Sequence, residues 1–100
     1  MQQFDAAVEE LRNFIVTEKL KLNIEVGENE VAIMHETPIG GRLKITCVGQ
    51  GIYRLKDAQD GGFQRQVHTA QAWWAGDEGP FAQSDMIASA KRWMNNQFGR

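Results

Sequence analysis

The chain is poor in the residues that staple, ligate and break structure. It has one cysteine (Cys47), two histidines, two prolines and one tyrosine among 100 residues. A single cysteine excludes an internal disulfide, and with it the disulfide-dense secreted scaffold. No stretch approaches the ~18 consecutive apolar residues that a membrane-spanning helix needs. The opening Met1-Gln2-Gln3-Phe4-Asp5 has neither the basic start nor the apolar run of a signal or transit peptide. Cytoplasm is the expected compartment, and no membrane partner is expected. An excess of charge is also missing. Eleven Lys and Arg against thirteen Asp and Glu give −2, so there is no global pull toward nucleic acid or anionic lipid.

What is present suffices for one folded domain, spanning residues 1–100. An apolar fraction of 42% and a charged fraction of 24% are ordinary for a globular chain and argue against disorder. A chain of this length is the size of one domain, and halves of it would be too small to fold alone.

Periodicity supplies the elements. Phe4, Val8, Leu11, Phe14 and Ile15 recur at steps of three and four, which predicts an amphipathic helix over residues 3–18, with Asp5 at the positive end of its dipole. From Leu20 the period becomes two. Leu20, Leu22, Ile24 and Val26 alternate with polar residues as a half-buried strand, and Gly27 to Glu30 reads as a turn. Val31 to Glu36 is a second strand, stopped by Pro38 and Gly40-Gly41. Arg42 to Val48 is a third, connected through Gly49-Gln50-Gly51 to a fourth at Ile52 to Lys56. Asp57 to Gly62 reads as a polar loop and Phe63 to about Ala72 as a fifth strand, with a short helix over residues 69–75 as the alternative. A loop holding Pro80 follows over residues 76–83. Ser84 then offers an N-cap to a second helix whose stripe is Met86, Ile87, Ala90, Trp93, Met94 and Phe98, with Lys91 and Arg92 outward. The expected fold class is α+β: an antiparallel four- to five-stranded meander with an N-terminal and a C-terminal helix packed on one face. Strands joined by such short loops cannot run parallel.

Catalytic chemistry finds little to stand on. Cys47, His35 and His68 occur singly, without the close ligand pairs of a metal site, so no metal or other cofactor is expected. Inward parity suits Cys47 to the part of a small buried apolar group. An enzyme using Cys47 or His68, for instance with Asp60, has no local signature to bring those groups together, and no catalytic residue is assigned. Gly49-Gln50-Gly51 lacks the third glycine of a dinucleotide fingerprint and leads into a strand where a helix should start.

Two surface features remain. Between Gly40 and Lys56 there are four bases, Arg42, Lys44, Arg54 and Lys56, and no acid. Alternation places all four on the sheet face opposite Leu43, Ile45, Tyr53 and Leu55, with Lys19 and Lys21 joining from the first strand. Such a face suits nucleic-acid phosphates or an acidic protein surface. Cations at outward strand positions also serve solubility and discourage edge pairing. The second feature is Trp73-Trp74. Neighbours on a strand face opposite sides, so one indole is expected inside and Trp74 exposed, where tryptophan is a frequent interface anchor. An indole sealing the core edge and donating its N–H to a carbonyl is the structural alternative.

The helix–strands–helix order resembles the double-stranded-RNA-binding domain in topology. That family carries lysines at the start of its last helix, whereas this chain reads Ser84-Asp85-Met86-Ile87-Ala88 there, so the family's binding residues are not carried over. The expectation is a small non-enzymatic binding module whose partner is another protein or itself, with a homodimer through the sheet as one form. A nucleic-acid-binding domain using the basic face is the alternative.

Overall fold

The computed structural model describes residues 2–36, 41–58 and 74–99, and the side chains of all of these except residues 2, 3, 58 and 74–77. Among the described residues seven elements follow in order: α1 (Gln2–Thr17), β1 (Leu22–Gly27), β2 (Glu30–His35), β3 (Arg42–Gly49), β4 (Ile52–Ala58), β5 (Trp74–Ala82) and α2 (Gln83–Asn96). The strands form one antiparallel meander, β1-β2-β3-β4-β5. Both helices cover one face of the sheet, as the periodicity requires.

The helix stripes and the inward strand residues meet in a single core. Phe4, Val8, Leu11 and Ile15 of α1 join Met86, Ile87, Ala90 and Met94 of α2 over Leu22, Val31, Ile33, Leu43, Ile45, Tyr53 and Leu55. Alternation holds strand by strand, because each of these seven sheet residues is flanked by side chains with more exposure. Val26 has inward parity but lies at the far end of edge strand β1, and it remains 46% exposed.

A turn of defined geometry ends α1. Lys19 takes the left-handed conformation at φ 57, the Leu20 amide donates to the Ile15 carbonyl at 3.0 Å, and the Lys19 amide donates to that of Val16 at 3.1 Å. This double closure with Ile15 and Leu20 both buried is the Schellman arrangement, with lysine where glycine is usual. Lys91 of α2 ties the helices together at their surface. Its Nζ reaches Glu10 at 3.2 Å and lies 5.2 Å above the Phe14 ring, so it is half-buried between the helices instead of pointing outward.

The second half of the chain departs from expectation in three places. Residues 76–82, expected as a loop, belong to the fifth strand, and β4 extends through Asp57 and Ala58 beyond its expected end at Lys56. Gly76, Gly79 and Pro80 are tolerated because β5 is an edge strand and pairs irregularly, with register shifts opposite Arg54 and between Asp57 and Ala58. Proline there costs no ladder bond, and Gly79 at φ +126 occupies a conformation closed to other residues. The third departure is the start of α2. The helix begins at Gln83 with Ala82 in the cap position and no side-chain cap, so Ser84 lies inside its first turn. The expected strand at residues 63–72 and the helical alternative for 69–73 lie outside the described residues, as do Pro38, Gly40, Asp60, His68 and Trp73.

Candidate functional site

The outer face of the sheet is read most directly from its register. One rung runs Glu25–Ala32–Lys44–Lys56 across β1 to β4 and meets Asp77 on β5. The rung toward one end is Gly27–Glu30–Thr46–Arg54, and toward the other Asn23–Met34–Arg42–Ala58. Arg42, Lys44, Arg54 and Lys56 therefore form one block on the two strands β3 and β4, with Lys44 and Lys56 directly opposite each other. Like charges in that position oppose sheet formation by a few tenths of a kcal/mol, roughly, where they are solvated. Arg42, Lys44 and Arg54 are half-buried and each has a polar or ionic contact, while Lys56 is exposed.

The cations do not own the face. Glu25 and Glu30, both exposed, stand on β1 and β2, so from β1 to β4 the outer surface passes from acidic to basic, with Asp77 of β5 next to Lys56 beyond the basic block. Ala32 and Met34, half-buried, lie between. Among the described outward residues of β1 to β4 none is aromatic; Trp74, paired with Ala58 of the Arg42 rung, stands on the adjoining strand β5.

The remaining candidates fall apart from this block. Lys19 sits in the turn after α1, not on a strand, so alternation does not place it. Lys21 precedes β1, exposed, with its carbonyl accepting from the Glu36 amide at 3.2 Å. Trp74 opens β5 opposite Ala58, at the far end of the rung that carries Arg42, and its side chain lies outside the described residues. Cys47 is half-buried instead of fully enclosed, and its Sγ donates to the Gly49 carbonyl at 3.0 Å. It packs against the core from the margin, where the register shift between Cys47 and Gly49 opens the ladder.

No protein-family model, curated protein or solved structure matches the chain. Its function therefore has to be argued from the geometry of its own residues.

On the helix side, a cavity of about 150 Å³ opens between β3–β5 and α2, lined by Leu43, Leu55, Asp57, Glu78, Arg92 and Trp93 among others. The sequence pattern put Asp57 and Glu78 in loops, whereas Arg92 is exposed as expected and borders the cavity from α2. The signal was available for Asp57, since Tyr53, Leu55 and Asp57 share parity. Among the described residues no three His, Cys, Asp or Glu side chains gather as they would around a metal ion, and no helix is long and apolar enough to cross a membrane.

Burial and hydrogen bonding concentrate at Tyr53. Its side chain is fully enclosed, and its hydroxyl donates to Gln83 Oε1 at 3.0 Å. Burial first, and the neighbouring Cys47 second, hold the phenol above its ordinary value of 10.0. The group is therefore neutral near pH 7 and its role there is structural.

Proposed function

We propose that this chain is a non-enzymatic protein-binding module that docks its partner on the outer face of the sheet. The carrying observation is the division of that face into an acidic margin, Glu25 and Glu30, and a basic block, Arg42, Lys44, Arg54 and Lys56. Both helices lie on the other side, so this face contributes nothing to the core cluster. A surface with both signs arranged in bands selects a partner by complementary bands, and wrong partners meet like charges.

A protein partner is favoured over nucleic acid by two features of the same face. Carboxylates next to the cations repel a phosphate backbone, whose affinity comes mainly from unopposed positive charge. The described outward positions of β1 to β4 also carry no aromatic side chain.

The test is capture on the immobilised chain from nuclease-treated extract of the native cell, with Lys44→Glu/Lys56→Glu as comparison. A protein retained by the wild type and lost by the variant, the chain itself included, is the expected result. Retention that survives the double reversal, or that vanishes with nuclease treatment, overturns the reading.

A further inference from the structure

The bands on the outer face are related to each other in a way that identifies the partner. The boundary between acid and base falls between β2 and β3, in the middle of the four strands β1 to β4. A two-fold axis laid along that boundary, parallel to the strands, turns the face onto a second copy. It carries β1 over β4 of the copy and β2 over its β3, and it leaves each rung at its own height.

Each rung then meets its own reverse. In the central one, Glu25–Ala32–Lys44–Lys56, Glu25 comes over Lys56 of the second copy and Lys56 over its Glu25, while Ala32 meets the stem of Lys44. In the next, Gly27–Glu30–Thr46–Arg54, Glu30 meets Thr46 and Gly27 meets Arg54. In the third, Asn23–Met34–Arg42–Ala58, Met34 meets Arg42 and Asn23 meets Ala58. Across these three rungs no cation faces a cation and no carboxylate faces a carboxylate.

We infer that the partner is a second copy of this chain, joined sheet to sheet about that axis. The inference rests on the reading that the outer face is the docking surface. An isologous contact requires one patch to be complementary to itself under a two-fold rotation, and the four-strand band pattern has that property. Glu25 and Lys56 are both exposed, three strands apart on one rung, and under this axis each comes over its complement on the other copy. Face-to-face sheets pack roughly 10 Å apart with strands within about 30° of alignment, a gap that Glu and Lys side chains bridge. The four strands β1 to β4 run six to eight residues, which gives the shared face a footprint of about 20–26 Å by roughly 19 Å. That footprint, about 400–500 Å², is at the small end for a specific contact, so a weak and reversible dimer is expected. At the centre Ala32 lies against the apolar stem of Lys44, and the Glu25 and Lys56 charges stand at the flanks.

Sedimentation equilibrium on the wild type, Glu25→Lys, Lys56→Glu and the double exchange tests this directly. The wild type is expected to sediment as a dimer of the 11.3 kDa chain at tens of micromolar, roughly. Each single reversal creates two like-charge contacts per dimer by symmetry and is expected to weaken association at least tenfold, roughly. The double exchange restores both pairs with their signs swapped and is expected to return within about threefold of the wild type. Melting curves on all four proteins separate association from folding, and Glu25→Gln with Lys56→Gln replaces any reversal that does not fold. A monomeric wild type up to millimolar concentration overturns the inference, as does a dimer indifferent to the single reversals. A monomeric chain that still captures a different protein, in a manner dependent on Lys44 and Lys56, overturns the second copy alone and leaves the binding-module reading standing. A monomer that captures nothing overturns both.

Discussion

The hydroxyl of Tyr53 donates to Oε1 of Gln83 at 3.0 Å, joining the middle of the sheet to the first residue of the second helix. Ala82 supplies no side-chain cap, and this bond adds a side-chain link to the sheet beside the continuous backbone from β5, whose Ala82 pairs with Ile52. Tyr53→Phe keeps the buried ring and removes the donor. It is expected to lower stability by about 1 kcal/mol, read as a drop in Tm of roughly 4–8 °C for a domain of this size. Tyr53→Ala also loses the ring and is expected to cost about 3–5 kcal/mol.

The same phenol predicts a pH dependence, and its sign follows from proton binding. Burial raises the folded-state value above 10.0, so between the unfolded and folded values the folded chain keeps a proton that the unfolded chain has released. The stabilisation is complete below pH 10 and declines as pH climbs through the folded value. Since the chain has a single tyrosine, phenolate absorbance reports this group alone. The absorbance midpoint is expected above 10 in buffer and near 10 in denaturant. Equal midpoints would show a solvated hydroxyl.

Gly79 makes a second, sharper claim. A Cβ there would lie 2.9 Å from the Tyr53 carbonyl oxygen and 3.2 Å from the Arg54 Cα, at φ +126. Backbone atoms cannot step aside as a flexible side chain can, so Gly79→Ala is expected to cost about 2 kcal/mol or more. Gly99, also at positive φ (+71) but with open space around it, is the control: Gly99→Ala is expected to shift the melting temperature far less. Similar losses at both sites would mean that φ alone matters and that the close approach to β4 is unimportant.

The contrast between the two halves of the chain shows what a sequence makes visible. From Leu20 to Lys56 the alternation is regular, and Val31, Ile33, Leu43, Ile45, Tyr53 and Leu55 are enclosed as their parity demands. The fold class was therefore legible there. Residues 74–82 were not, because Gly76, Gly79 and Pro80 are strand breakers by composition and serve in β5 through an edge position and two register shifts. Asp57 was hidden by polarity, which suggested a loop, although it continues the inward parity of Tyr53 and Leu55. As for the docking face, its cations could be listed from alternation. The placement of Glu25 and Lys56 on one rung, three strands apart, required the register, which no single strand contains.

Lys19 supplies a stabilising prediction. It holds φ 57 in the turn that closes α1, a conformation that costs a residue with a Cβ about 1 kcal/mol. Lys19→Gly removes that cost, partly offset by the extra freedom of glycine in the unfolded chain, and is expected to gain about 0.5 kcal/mol. Urea unfolding measures it through a higher midpoint at unchanged slope. Because Lys19 lies in this turn and outside the rungs of the outer face, the same substitution is expected to leave self-association unchanged. A weakened dimer would extend the docking surface beyond the strands.

The last prediction concerns why this cationic block should avoid nucleic acid. Glu25 stands at the end of the rung that holds Lys44 and Lys56, and Glu30 on the rung that holds Arg54. Strands lie ~4.8 Å apart, so Glu25 is about 10 Å from Lys44 and about 14 Å from Lys56, and Glu30 about 10 Å from Arg54. At the ~10 Å screening length of dilute salt the shielding is partial and strongest at Lys44 and Arg54. The wild type is expected to show no oligonucleotide binding in ordinary salt. Glu25→Gln/Glu30→Gln, which changes the net charge from −2 to 0, is expected to elute from a polyanion column at distinctly higher salt. Identical elution of the two proteins would mean that the carboxylates do not shield the block. Tight, steeply salt-dependent binding by the wild type would transfer the face from a protein partner to a nucleic acid.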